Sequence, residues 1–129
     1  MKIEYRNGLL FTTIEVVYKG QKKKINNIVI DTGASETLLS QECVDDIGIK
    51  VAAEDELVVS YGIGGKEHAF SKKVDEVNTG SYRLKHYKLD FTSFQYEDIN
   101  GLLGLDILIS GGYIVDLKDL LLHQKSCSN

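Results

Sequence analysis

The sequence predicts an all-β domain, because short apolar or alternating runs recur along the chain and glycine and asparagine separate them. The 129 residues include 12 glycines and no proline, and 43% of them are hydrophobic. A chain of this size can bury one compact core and is too short for two full domains. We therefore expect a single domain over residues 1–123, followed by a flexible polar tail at residues 124–129.

Seven segments have the alternation, or the β-branched and aromatic content, that is typical of strands. The predicted strands are residues 9–18, 25–30, 57–61, 70–77, 82–91, 113–117 and 120–123. The third and fourth of these flank a glycine-rich turn and are expected to form a hairpin. Residues 20–24 are predicted to be a turn, in which the basic run 22–24 is either solvated or a phosphate-binding patch; we favour the solvated turn.

Two segments depart from the strand pattern. Residues 37–47 have apolar side chains at helical spacing, with Ser40 as a possible cap and Gly48 as the stop, which predicts a short helix. Residues 105–109 are apolar around Asp106 and are compatible with a helical turn or a buried strand, of which we favour the helix.

The composition argues against several classes of partner. The formal net charge is -4, and both signs are scattered along the chain, so nucleic acid is not expected as a ligand. No apolar run approaches the roughly 20 residues that span a bilayer, and the N-terminal residues lack the apolar core of a signal peptide. The two cysteines, Cys43 and Cys127, imply no disulfide framework. We expect a cytoplasmic protein with reduced thiols and no membrane partner.

Candidate chemistry concentrates where an apolar, β-branched strand delivers Asp31 onto a tight turn. Gly33 permits unusual dihedral angles and a close approach of the backbone, so that amide groups can point at the carboxylate. Thr32 adds a hydroxyl that can hold the loop. Asp, Thr and Gly are also common in ordinary turns, so this tripeptide alone does not define a site.

Two further segments follow in the chain. Residues 61–65 read Tyr-Gly-Ile-Gly-Gly, a hairpin tip able to approach a ligand backbone closely, although a plain tight turn has the same composition. Residues 102–104 read Leu-Leu-Gly, in which the glycine allows one chain segment to pack against another.

In this order, the three segments resemble the motifs of the retropepsin-like aspartic proteases, the family of the retroviral proteases and related cellular domains. The family has an apolar strand ending in Asp-Thr-Gly-Ala, a glycine-rich flap, and an apolar-apolar-Gly segment before a short helix. The resemblance extends from about residue 9 to residue 122. It implies an acid-protease fold, a closed β-barrel with one or two short helices, assembled as a two-fold homodimer.

The resemblance also implies roles for single residues. Asp31 is catalytic, Thr32 locks the two loops across the dimer, and Gly33 hydrogen-bonds the substrate backbone. Ala34 completes the supporting loop, and Ser35 belongs to the substrate-binding region.

The flap and the structural motif are assigned in the same way. The flap comprises Tyr61, Gly62, Ile63, Gly64 and Gly65. Leu103 and Gly104 pack behind the catalytic loop, and Asp106 opens the following helix.

The sequence departs from the viral pattern at three positions. Ser35 and Glu36 stand where viral members often have two aspartates, which puts the backbone contacts of the outer subsites in doubt. Leu105 stands where they often have an arginine, so that supporting ion pair is not expected here.

The tripeptide Asp-Thr-Gly occurs once, and aspartic protease chemistry needs two facing acids, so the second must come from another copy. We therefore expect an aspartic endopeptidase that acts on peptides or proteins, without a metal or other cofactor. A non-cleaving peptide-binding dimer of the same fold is the alternative, and a scaffold domain is a third possibility. A Cys43–histidine pair or a zinc site at the three histidines has little support, because Cys43 lies on the apolar face of the predicted helix and the histidine spacing fits no metal motif.

Overall fold

The computed structural model describes residues 1–62, 65–94 and 98–124. Within them the chain forms one α-helix, two short 3₁₀ helices and ten strands. The strands are β1 (Glu4–Arg6), β2 (Leu9–Tyr18), β3 (Gln21–Ile30), β4 (Leu38–Ser40), β5 (Glu56–Gly62), β6 (Gly65–Thr79), β7 (Tyr82–Thr92), β8 (Gly101–Leu103), β9 (Tyr113–Asp116) and β10 (Leu121–Gln124). The α-helix, α1, is Leu105–Ser110, and the 3₁₀ helices are Gln41–Cys43 and Asp45–Ile47. Among these helices, none is long and apolar enough to cross a bilayer.

Eight strands form one sheet in the order β1, β2, β3, β8, β4, β7, β6, β5, and β2 additionally pairs with β6. Most neighbours are antiparallel, but β3 pairs with β8 and β4 pairs with β7 in parallel. The strands β9 and β10 form a separate two-stranded antiparallel sheet. The all-β prediction is therefore confirmed.

The first two hairpins turn through two residues each. Asn7 and Gly8 have φ angles of 54° and 79°, and Lys19 and Gly20 have φ angles of 50° and 82°. Two successive positive φ values match the twist of the flanking strands in a tight hairpin. The predicted turn at residues 20–24 was therefore too long, and the basic run lies in β3.

The basic run belongs to a strand because its side chains are compatible with the neighbouring strand. Lys24 stands opposite Glu15 in the β2–β3 register, and opposite charges on facing strands stabilise the pair. The phosphate-binding alternative gains no support from this placement.

The apolar run at the end of β3 separates two clusters of buried side chains. Ile28 and Ile30 pack into the larger cluster, whereas Val29 packs with Phe11 and Leu102 in a smaller one. Because both faces of the strand are covered, its sequence is continuously apolar rather than alternating. This arrangement fixes the strand that leads into Asp31.

The prediction of a helix over residues 37–47 was wrong for the N-terminal half of that segment. Leu38 and Leu39 lie in β4, which pairs with β7 on one side and β8 on the other, so both side chains are buried. Pairing inside the sheet overrides the helical spacing of these residues. The second half forms the two 3₁₀ helices, and Gly48 ends them with a φ of 88°, as predicted.

The remaining predictions agree with the structure more closely. Strand β2 has the predicted bounds, β5 and β6 form the predicted hairpin, and residues 105–109 are helical within α1. Gln124 was assigned to the tail but ends β10, and its side chain donates a hydrogen bond to the Gly111 carbonyl oxygen. Residues 125–129, with Cys127, lie outside the described residues.

Candidate active site

Asp31 directly follows β3, and its backbone is fixed by β8. The Asp31 amide donates a hydrogen bond of 3.0 Å to the Leu103 carbonyl oxygen, which extends the parallel ladder between the two strands. The chain then turns, and the Ala34 amide donates to the Asp31 carbonyl oxygen at 3.2 Å. The Asp31 carboxylate is therefore held by a buried strand on one side and a closed turn on the other.

The two carboxylate oxygens of Asp31 have different environments. Oδ1 accepts a hydrogen bond of 2.9 Å from the Gly33 amide. Oδ2 is buried and finds no donor among the described residues. A buried oxygen without a partner is costly, so Oδ2 is the atom of this loop whose missing donor calls for an explanation.

The residues that follow Asp31 divide into exposed and buried positions. Thr32, Gly33 and Ser35 are exposed, as expected for groups that contact another molecule. Ala34 is fully buried in the smaller core cluster and anchors the loop. The loop is thus attached to the core by one apolar side chain and presents its polar groups outward.

Gly104 allows the segment before α1 to lie directly against this loop. A Cβ atom on Gly104 would be 2.6 Å from the carbonyl carbon of Glu36 and 2.9 Å from the carbonyl oxygen of Ala34. The contact is reinforced by the Leu105 amide, which donates to Ala34 O at 2.8 Å. Leu103 is fully buried in the larger cluster. Leu103 and Gly104 thus lie directly against the Asp31 loop, and their assignment to a family motif stays a prediction.

A chain of hydrogen bonds ties Asp106 to two residues that the sequence did not single out. The Gly104 amide donates to Thr37 Oγ1 at 3.0 Å, and Thr37 Oγ1 donates to Asp106 Oδ1 at 2.7 Å. Tyr87 donates its hydroxyl to Asp106 Oδ2 at 2.8 Å. Asp106 thus connects α1, β7 and the loop leading into β4. No local pattern indicates this, because Thr37 is 69 residues and Tyr87 is 19 residues from Asp106 in the chain.

Acidic side chains crowd the surface beside this chain of hydrogen bonds. Burial, followed by the charges of Asp106 and Asp90, raises the pKa of Glu36 above its ordinary value. Burial also raises the pKa of Asp90, although the Ser71 hydroxyl and the charge of Lys88 oppose the shift. The region next to the loop is therefore negatively charged and disfavours further anions.

Strands β5 and β6 form the hairpin that contains the residues predicted to be the flap. Its register runs from the Glu56–Ser71 pair to the Gly62–Gly65 pair. Ile63 and Gly64, which complete the predicted flap, lie outside the described residues. Asp55 anchors the base of the hairpin, because its carboxylate binds both Lys72 Nζ at 2.9 Å and the Ala52 amide at 2.7 Å.

A groove of about 550 Å³ lies beside the hairpin rather than at Asp31. Val51, Leu57, His68 and Phe91 contribute to its lining, and Asp31 does not.

The structure describes the surroundings of one weaker candidate, Cys43. Cys43 is half-buried and packs against the larger core cluster, and no described hydrogen bond joins it to a histidine. In the described part of the chain, no three His, Cys, Asp or Glu side chains converge as a metal site would require.

Comparison with known proteins places this geometry in a family. A family model described as aspartyl protease matches residues 14–107, a span that includes Asp31, the flap and Asp106. The chain belongs to the aspartyl protease family. Its fold is similar to the crystal structure of a retropepsin-like aspartic protease from Rickettsia conorii, with a TM-score of 0.65 and 24% sequence identity over 94% of this chain and 86% of that one. The predicted retropepsin-like resemblance is therefore confirmed. Comparison with curated proteins found no match.

Proposed function

We propose that the protein is an aspartic endopeptidase that works as a homodimer, with one Asp31 from each copy. The observation that carries the proposal is the buried Oδ2 of Asp31, which has no partner among the described residues although Oδ1 accepts from the Gly33 amide. A second carboxyl group that shares a proton with Asp31 would provide the missing donor. The chain has a single Asp-Thr-Gly, so that group comes from another copy.

The chemistry follows from two facing carboxyl groups, which titrate as a pair because both cannot easily ionise at a separation of about 3 Å. The ionised member takes a proton from a water molecule, and the oxygen of that water attacks the peptide carbonyl carbon. The protonated member donates to the carbonyl oxygen, and a proton then passes to the departing amine. Neither a metal nor a covalent intermediate takes part.

The other loop residues would bind and orient the substrate. The exposed Gly33 backbone and Ser35 contact an extended peptide, the residues from Tyr61 to Gly65 cover it, and exposed Thr32 joins the two loops across the dimer. The β2–β6 pairing supports closure of the large sheet into a barrel beneath this site. Cys43 has a free thiol, and thiols stay reduced in the cytoplasm, so we place the protein there.

Replacing Asp31 with Asn tests the proposal, because the amide keeps the size of the side chain but cannot act as a base. The wild type and Asp31→Asn are incubated with a proteome-derived peptide mixture, and new termini are identified by mass spectrometry. We expect cleavage by the wild type and at least a roughly 10²-fold loss in the variant, with unchanged sedimentation and circular dichroism.

Asp46→Asn is the matched control, because Asp46 is exposed and forms only a surface ion pair with Lys23. It should cleave like the wild type. Wild-type cleavage by Asp31→Asn would contradict the mechanism, and peptide binding without cleavage by the wild type would favour a binding module instead.

A further inference from the structure

The chain contains the same four residues twice, in two different structural settings. Asn-Gly-Leu-Leu occurs at residues 7–10 and again at residues 100–103, and no other asparagine of the sequence precedes a glycine. The first copy forms the turn between β1 and β2 and the start of β2, whereas the second leads into β8 and includes it. Because the residues are the same, a difference in reactivity between the two asparagines reports on the fold.

The first copy lies on the surface at the edge of the large sheet. Asn7 and Gly8 are exposed, and no described hydrogen bond holds the Asn7 side chain or the Gly8 amide. A Cβ atom on Gly8 would meet no described atom within 4 Å. Strand β1 is three residues long and, among the named strands, pairs with β2 alone. A short element at an edge opens locally at a low cost in free energy.

The second copy is held between buried strands. The Asn100 backbone amide donates to Asn27 O at 2.9 Å, and its side-chain amide donates to Asn26 O at 2.9 Å. Gly101 is buried and pairs with β3 on one side and with β4 on the other. A Cβ atom on Gly101 would be 2.8 Å from Leu38 O. Freeing this segment means separating central strands, which requires nearly the whole free energy of unfolding.

An asparagine that precedes a glycine can react with the backbone, because glycine has no side chain to obstruct the approach. The glycine nitrogen attacks the side-chain carbonyl carbon of the asparagine, and a C–N bond forms. The bond from that carbon to the side-chain nitrogen breaks, and this nitrogen leaves as ammonia with the proton that the glycine nitrogen gives up. Water then opens the resulting succinimide ring at either carbonyl group. The product is an aspartyl residue or an isoaspartyl residue, in which the backbone passes through the former side chain.

We propose that Asn7 is a site of spontaneous deamidation in the folded protein and that the fold protects Asn100 from the same reaction. The reaction requires the Asn7 side chain and the Gly8 nitrogen to leave the turn geometry described above. Local opening of the exposed turn allows this movement while the core stays folded, whereas Asn100 reacts only when the domain unfolds. The inference goes beyond the proposed function and does not depend on it.

The modification alters the hairpin that lies beside the smaller core cluster. It places a carboxylate next to Arg6, whose guanidinium carbon lies 3.9 Å from the centre of the Phe11 ring. Phe11 packs in the same cluster as Ala34 of the Asp31 loop. The isoaspartyl product also adds a methylene group to the backbone of a two-residue turn, whose length fixes the register of the strands. Pairing of β1 is therefore weaker in modified chains.

Both asparagines can be compared in one wild-type sample. The folded protein is incubated in mildly alkaline buffer and digested with trypsin at intervals. Liquid chromatography with mass spectrometry then separates the asparaginyl, aspartyl and isoaspartyl forms of the two peptides, and a sample digested without incubation corrects for conversion during digestion. We expect conversion at Asn7 to be at least roughly 100-fold faster than at Asn100, since only Asn100 is protected by global stability.

The unfolded chain is the matched control. In guanidinium chloride at the same pH and temperature, Asn7 and Asn100 should convert at similar rates, because each is followed by Gly-Leu-Leu. Asn7→Gln provides a second control in the folded protein. Glutamine would have to close a larger ring, so the variant should lose the conversion at position 7 and keep Asn100 intact.

Two results would overturn the inference. One is equal conversion of Asn7 and Asn100 in a chain that circular dichroism shows to be folded. The other is an Asn7 that stays intact in the folded chain over a time in which the unfolded chain converts it. Neither result bears on Asp31, whose role is tested separately by Asp31→Asn.

Discussion

Gly104 is the residue at which two backbone segments of the site approach each other most closely. A methyl group there would collide with the backbone of Glu36 and Ala34, and neither can move without displacing the loop that holds Asp31. The requirement is steric, because the φ of Gly104 is -95°, a value that any residue adopts. The sequence indicated the close packing but not the atoms involved.

Gly104→Ala should therefore destabilise the fold by roughly 1–3 kcal/mol and abolish cleavage, since the fixed backbone cannot move to accommodate the added methyl group. Gly112→Ala is the comparison. Gly112 has a φ of 60°, but a Cβ atom built there would have no described neighbour within 4 Å, so only the backbone strain of about 1 kcal/mol should lower the stability. Urea denaturation of both variants measures the difference. An equal loss in the free energy of unfolding for the two variants would show that the Gly104 contact is not tight.

Tyr87 is held to Asp106 by a hydrogen bond to a charged acceptor. Burial, then the hydrogen bond and charge of Asp106, raise the pKa of Tyr87 well above its ordinary value of 10.0, so the hydroxyl remains protonated. The pKa of Tyr87 is higher in the folded state than in the unfolded state. The stabilisation that the protonated hydroxyl provides is therefore complete below pH 10 and is lost as the pH rises through the folded-state pKa.

Tyr87→Phe should lower the free energy of unfolding at pH 7 by roughly 1.5–3 kcal/mol, the usual contribution of a hydrogen bond to a charged group. The difference from the wild type should shrink above pH 10. Tyr5→Phe, at a side chain that is 64% exposed, serves as the control and should change little. A difference that did not change with pH would contradict the raised pKa of Tyr87.

At the scale of secondary structure, the β5–β6 hairpin has a nearly buried ion pair at its base. Asp55 and Lys72 are almost buried, with side-chain exposures of 11% and 13%. The hydrogen bond from Lys72, then that from the Ala52 amide, lowers the pKa of Asp55. Its stabilisation is complete above its ordinary value of 3.8 and is lost as the pH falls through the lower folded-state value.

Asp55→Asn should therefore be less stable than the wild type at pH 7, and the difference should decrease as the pH falls below about 4. Chemical denaturation at pH 7 and pH 3 measures both values. Asp46→Asn, which alters an exposed ion pair, should show a much smaller effect. If the two variants lost equal stability, Asp55 would not anchor the hairpin.

The elements that could be predicted from sequence are those whose pattern is local. β2 is a ten-residue run rich in β-branched residues, and the Asp31 turn combines an apolar strand with Asp-Thr-Gly. β4 could not be predicted, because its three residues owe their conformation to β7 and β8, which lie about 50 to 60 residues away. Tyr87 was missed for a similar reason, since its role depends on a partner in α1 that no spacing rule connects to β7.

At the scale of the whole molecule, the central expectation is that one chain carries half of an active site. Specific activity should then fall on dilution below the dimer dissociation constant and recover when the protein is concentrated. Peptide cleavage and sedimentation, measured over the same concentration range, test this directly. Constant specific activity through the dimer-to-monomer transition would contradict a shared site.

Strand β8 lies between β3 and β4 in the sheet, and this order determines when the Asp31 loop can form during synthesis. Asp31 emerges from the ribosome early, but the carbonyl group that fixes its backbone belongs to Leu103, and the glycine that closes the loop is Gly104. Contacts so distant in sequence form late in folding. A nascent chain that has not yet reached residue 104 therefore carries the Asp-Thr-Gly segment without the contacts that fix its loop, and the proposed activity can appear only after that residue has been synthesised.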